Sequence, residues 1–305
     1  MIGNMVQYSV LPNCTNSCKF CLCRDKRVLS TEEIVKRIDR IVDNINYIDW
    51  KGKFCKGISL LGGEVYGYRD KVYEERYLSL VHDICKKVLQ VAGPGARYST
   101  VTNGIYKPDF LFKCADTIVS ECGIEYLDVN FSYDIKYRYS SEEARKLALQ
   151  NINAFSKRYS YRVGVQMILT QHVIDSVFNG TWDMKSFIEN EIPGNQLVFL
   201  YPHPIRTNGL PLEDFFFKRA DFLKFLLYLE ANHPDIHMNT ILSTKNSGTF
   251  KYTGLFYPEK SSKQPPILAD GKEILQDCGH SVLYNCYSDT EDKCMLCDIE
   301  KLWRL

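Results

Sequence analysis

Cys14-Thr-Asn-Ser-Cys18-Lys-Phe-Cys21 places three thiols within eight residues. It follows directly on Met5 to Leu11, an alternating apolar run that reads as a first β-strand stopped by Pro12 and Asn13. A zinc finger normally pairs two-cysteine knuckles to close a four-ligand shell. Here the third thiol comes from the same loop, and no fourth ligand follows at knuckle spacing. A cubane iron–sulfur cluster that only carries electrons takes four thiolates, so three leave one iron open to a substrate or cofactor. The motif alone points to chemistry at a cluster, with a structural zinc site or unconnected buried thiols as the alternatives.

The rest of the chain bounds that reading. Its 305 residues suffice for one large α/β domain or a barrel with an appendage. With 38 basic and 37 acidic residues the net charge is +1, so no overall field favours a nucleic-acid or membrane partner. No run approaches the roughly eighteen apolar residues of a membrane-spanning helix. The first residues lack the charged and apolar regions of a signal peptide, and twelve cysteines in so long a chain do not suggest a secreted disulfide scaffold. The expected compartment is the cytoplasm. Cys55, Cys85, Cys114 and Cys122 lie among apolar residues and read as small buried hydrophobes, as does Cys23 behind the cysteine loop.

Strand and helix signals alternate from there. Ser30-Thr-Glu-Glu33 has capping-box spacing before Ile34, Ile38, Ile41, Val42 and Ile45 on one helical face. Gly57 to Leu61 is a second strand ending in Gly62-Gly63-Glu64, where backbone can approach a ligand and the carboxylate is poorly placed for packing. Glu75 to Val91 is a helix carrying Leu78, Val81, His82 and Cys85 at helical spacing, and Tyr98 to Val101 is a third strand closed by Thr102-Asn103-Gly104. A helix over 109–122, a fourth strand from Tyr126 to Tyr133 and a capping box at Ser140-Ser-Glu-Glu143 follow. The fifth strand spans Arg162 to Thr170, a weaker helix Met184 to Glu191, the sixth strand Gln196 to Tyr201, and a last apolar helix Phe215 to Ala231. Six strand-helix units in succession imply a parallel sheet with right-handed crossovers.

In a parallel β/α barrel the active site lies at the C-terminal ends of the strands. The three-cysteine loop, Gly62-Gly63-Glu64, Thr102-Asn103 and Ser132 with Asp134 fall at four successive strand ends, and Gln166 lies within the fifth strand. Each alone has a plainer reading as a turn or a satisfied polar group; their coincidence carries the argument.

On Cys14, Cys18, Phe20, Cys21, Gly62-Gly63-Glu64 and Thr102-Asn103-Gly104, the first 205 or so residues resemble the radical S-adenosylmethionine superfamily. The resemblance implies an α/β fold, a partial TIM-like barrel of six β/α units open at one side. It implies that Cys14, Cys18 and Cys21 hold a [4Fe–4S] cluster, that Phe20 lies beside the adenine of S-adenosylmethionine, and that Gly62, Gly63 and Glu64 receive the methionine amino group. Thr102, Ser132 and Gln166 become candidates for the methionine carboxylate and the ribose. The fifth strand departs from the family's glycine-bracketed adenine pattern, since Gly164-Val-Gln-Met-Ile168 lacks the second glycine. The implied chemistry is reductive cleavage of S-adenosylmethionine to a 5′-deoxyadenosyl radical that takes hydrogen from a substrate. An electron donor such as flavodoxin or ferredoxin is implied with it; no residue is singled out as catalytic.

Beyond a soft boundary at residue 235, the barrel of 1–235 gives way to a polar segment and then Cys278, Cys286, Cys294 and Cys297. The 236–305 extension resembles the auxiliary-cluster modules of SPASM and twitch type. It is expected to hold one second [4Fe–4S] cluster, with zinc or separate cysteines as alternatives, and His280 reads as an ordinary exposed histidine ahead of a substitute ligand. The extension favours a peptide or protein substrate. A nucleoside or nucleic-acid base is the runner-up, because Tyr201, His203, Arg206, Phe215, Phe216, Phe217, Lys218 and Arg219 cluster past the sixth strand. A zinc-stabilised binding protein without catalysis is the alternative of another class.

Overall fold

The computed structural model describes residues 4–11, 14, 16, 18, 28–51, 55–161, 163–200, 219–234, 236–238, 284–285 and 290–291. Strands β1 (Asn4–Leu11), β2 (Cys55–Gly62), β3 (Arg97–Thr102), β4 (Leu127–Tyr133), β5 (Gly164–Ile168), β6 (Gln196–Leu200) and β7 (His237–Met238) follow one another in the sheet in chain order. β1 and β2, β2 and β3, β5 and β6, and β6 and β7 pair in parallel. A helix between successive parallel strands defines an α/β fold, as expected for a partial TIM-like barrel. The seventh strand was not foreseen. Its two residues pair Val198 with His237 and Phe199 with Met238, just past residue 235.

Contact density divides the described residues into two units. One comprises residues 4–130 apart from Asn16 and Cys18, with 284–285 and 290–291; the other comprises residues 131–238 with Asn16 and Cys18.

In the first unit the helix Thr31–Tyr47 begins at the expected capping box. Ser30 Oγ accepts from Glu33 N at 3.2 Å while Ser30 N donates to Glu33 Oε2 at 2.8 Å. Ile34, Ile38, Ile41 and Ile45 recur at helical spacing and are buried, each worth roughly 1.5–3 kcal/mol. The next helix starts at Lys71, four residues earlier than expected, because Asp70 caps it by accepting from Tyr73 N at 2.9 Å. His82 lies outside the buried stripe, against Glu121. The stripe instead holds Tyr73, Tyr77, Leu80, Val81 and Ile84. Tyr66, Tyr77 and Tyr98 share a buried hydroxyl network, with Tyr66 to Tyr98 at 3.1 Å, Tyr77 to Tyr98 at 2.9 Å and Tyr66 to Thr100 at 3.1 Å. Mutual bonding offsets the cost of burying these hydroxyls.

In the second unit the helix Glu142–Tyr159 starts one residue later than the expected capping box. Ser141, not Ser140, is the cap, and its Oγ accepts from Ala144 N at 3.3 Å. Glu142 pairs with Arg145, which also donates to Tyr133 Oη at 2.9 Å and Glu191 Oε2 at 2.7 Å. β5 ends at Ile168; Thr170 belongs to the following helix, Gln171–Phe178, as its cap. A hydroxyl that accepts from Val173 N has more to gain there than in a strand.

Candidate active site

At the end of β2, Gly62 is dictated by close approach: a Cβ there would stand 2.4 Å from Leu11 O. The next amide, Gly63 N, donates to Leu11 O at 2.7 Å. Leu11 is the last residue of β1, so the glycine pair holds the root from which the cysteine loop departs. Gly62 and Gly63 are half-exposed. Cys14, three residues past Leu11, is half-buried.

Glu64 is placed differently from the expectation that it is poorly suited to packing. Its side chain is only 2 % exposed. The carboxylate accepts from Thr102 Oγ1 at 2.8 Å, Asn103 N at 2.7 Å and Tyr66 N at 3.3 Å. Thr102 Oγ1 accepts in turn from Gly104 N at 3.2 Å, and Asn103 Oδ1 from Ile105 N at 3.0 Å. Tyr73 Oη donates to Val65 O at 2.9 Å. The β2 and β3 ends are thus tied by a buried, hydrogen-bonded carboxylate, and the Thr102 hydroxyl proton is spent on that tie.

β4 alternates cleanly. Leu127, Val129, Phe131 and Tyr133 are buried, while Asp128, Asn130 and Ser132 are half-exposed on the other face. Asn130 Nδ2 donates to Asp128 Oδ1 at 3.0 Å. Asp128 and Asn130 share the face of Ser132, as the alternation of Leu-Asp-Val-Asn-Phe-Ser-Tyr already implies, and are further polar residues at this strand beyond the expected Ser132. Gln166 likewise sits half-exposed opposite the buried Val165 and Met167.

The turn after β4 is organised by Asp134. Its Oδ1 accepts from Lys136 N at 2.8 Å and from Tyr137 N, while Tyr139 Oη donates to Ser132 O at 3.3 Å. Cys18 is buried, and its Sγ lies 4.0 Å from Arg138 O. Burial pushes the Asp134 carboxyl above its ordinary range, the two amides opposing that shift only in part. A raised folded-state value means that the stability from this group is complete below the unfolded value near 3.9 and declines as pH rises through the folded value. Asp134→Asn keeps an Oδ1 acceptor without the charge. It is therefore expected to melt higher than wild type at pH 8, with the gap closing toward pH 4. Parallel thermal melts across that range check this; a variant less stable at every pH would show that the charge is needed.

Cys85 and Cys114 are buried, as expected, and burial raises both thiols well above their usual range; Cys122 is half-buried. Phe20, Cys21, Cys23, the 201–218 run and Cys278, Cys286, Cys294, Cys297 and His280 lie outside the described residues, as do the side chains of Cys55 and Arg219. Among the described residues no three His, Cys, Asp or Glu side chains gather as a metal site, and no helix is long and apolar enough to cross a membrane.

The Radical SAM superfamily profile matches residues 8–169, from within β1 to just past β5. The chain belongs to the radical SAM superfamily of enzymes. No curated protein matches it. Among solved structures it is similar to SuiB of Streptococcus suis bound to S-adenosylmethionine, with a TM-score of 0.52 and 13% identity over 99% of this chain and 65% of that one. A second SuiB structure gives a TM-score of 0.51 and 11% identity over the same shares. The likeness at such identities is one of fold. The chain spans 65% of the length of SuiB.

Proposed function

We propose that the chain binds a [4Fe–4S] cluster through Cys14, Cys18 and Cys21 and reductively cleaves S-adenosylmethionine. The 5′-deoxyadenosyl radical then abstracts hydrogen from a peptide or protein substrate. The observation that carries this is the three-thiol loop itself, rooted at Leu11 by the Gly63 amide within the matched family span. The described part of the loop fits a cluster: its thiols are soft ligands, Cys18 is buried, and the buried Asn16 amide between them lacks an acceptor among the described residues. The SuiB structure holds S-adenosylmethionine, which supports the same ligand here.

When bound, the cluster supplies the electron that breaks a carbon–sulfur bond of the sulfonium. The chain's residues bind and orient. The half-exposed Gly62-Gly63 backbone receives the methionine amino group. Glu64 contributes its backbone and, through its carboxylate, holds the Thr102-Asn103 turn at the neighbouring strand end. Ser132 and Gln166 take the carboxylate and ribose, and Phe20 lies against the adenine. Excluding water and stray hydrogen donors protects the radical. Cys278, Cys286, Cys294 and Cys297 hold a second [4Fe–4S] cluster in an extension that follows residue 235, and a flavodoxin or ferredoxin in the cytoplasm is the donor.

Anaerobically purified, iron-reconstituted protein is expected to be brown and, once reduced, to convert S-adenosylmethionine to methionine and 5′-deoxyadenosine, measured by chromatography. Colourless, zinc-loaded protein without cleavage would overturn the reading.

A further inference from the structure

Asn16 stands two residues from Cys14 and two from Cys18. Its side chain is 7 % exposed, and among the described residues its Nδ2 has no hydrogen-bond acceptor. A buried polar group left without a partner costs about 1–3 kcal/mol. Such groups are uncommon and call for an explanation, an ion or ligand that completes them being one. This donor lies inside the loop whose thiols are assigned to a metal centre, so the missing acceptor is sought there.

We propose that the Asn16 carboxamide donates a hydrogen bond to a sulfur of the cluster held by Cys14, Cys18 and Cys21, and so sets how readily that cluster accepts an electron. The inference rests on the reading of the site given above. Consecutive Cα atoms are about 3.8 Å apart, so a side chain flanked at two residues on either side by thiolate ligands has cluster sulfurs within reach. The polar groups of S-adenosylmethionine are assigned instead to residues at the ends of β2 and β4 and on β5. A reduced cluster carries one more negative charge than the oxidised one, and an N–H donor to sulfur favours it; hydrogen bonds to sulfur are among the features that set cluster potentials.

Two variants test this. Asn16→Leu has similar volume and no donor; Asn16→Asp has the same shape with an acceptor in the donor's place. In cluster-free protein Asn16→Leu is expected to melt at or above wild type, because a desolvated amide has been removed. A clear fall would mean that the protein itself satisfies Asn16, and would overturn the proposal. In reconstituted protein without S-adenosylmethionine, an EPR-monitored redox titration is expected to show the Leu variant about tenfold harder to reduce, about 59 mV lower for a one-electron couple, and the Asp variant lower still. An unchanged potential overturns the proposal. So does a change confined to S-adenosylmethionine affinity, which would make that molecule the acceptor, and so does failure of both variants to retain iron, which would assign Asn16 to cluster assembly. Wild-type protein that takes up no cluster would instead refute the underlying site reading.

Discussion

Replacing Cys14, Cys18 and Cys21 together by Ala should abolish formation of 5′-deoxyadenosine while leaving a folded protein. The loop begins after Leu11, and the packing that defines the first unit lies elsewhere, in Ile34, Ile38, Ile41 and Ile45 and in the aromatic cluster of Tyr66, Tyr73, Tyr77 and Phe110. Melting temperature of the cluster-free form should therefore hardly move. Iron and sulfide analysis of the same variant reads the other cysteine group: about four irons per chain should remain if Cys278, Cys286, Cys294 and Cys297 bind a cubane. Retained cleavage would refute the assignment of the loop, and zinc or no metal in the variant would refute the second cluster.

Glu64→Ala should unfold the protein more readily than any other single change at the strand ends. It strands three buried donors, Thr102 Oγ1, Asn103 N and Tyr66 N, at about 1–3 kcal/mol each, and a total of roughly 3–5 kcal/mol allows for partial relaxation. Denaturant titration should show a lowered midpoint with an unchanged slope. Glu64→Gln keeps one carbonyl acceptor and should lose less. In protein kept folded at low temperature, the Ala variant should also bind S-adenosylmethionine more weakly, because the Thr102-Asn103-Gly104 turn is no longer held. Unaltered stability would show that the carboxylate is not a tie between the two strands.

The pairing of these effects at Glu64 separates what was readable in the sequence from what was not. The helix at Thr31–Tyr47, the alternation along β4 and the parallel order of the strands rest on rules that act within a few residues or at a fixed period: a cap three residues from its amide, apolar side chains every third or fourth position, a strand whose faces alternate. The spacing of the three cysteines is equally plain in the sequence, and it is the resemblance to the family that turns it into a proposed cluster site. The fates of polar side chains do not obey such rules. Glu64 finds Thr102 and Asn103 across 38 and 39 residues of chain, and Tyr66 finds Tyr98 across 32. His82, placed by periodicity on the inner stripe, turns out against Glu121 at a separation of 39. Thr170, which continues an apolar run, becomes a helix cap through its bond to Val173 N. Sequence by itself determined the α/β alternation and offered the three cysteines proposed to hold a cluster. Only the tertiary structure decided that Glu64 is bonded inward and that Asn16 Nδ2 has no acceptor among the described residues, because a buried hydrogen bond depends on which distant segment the fold brings alongside.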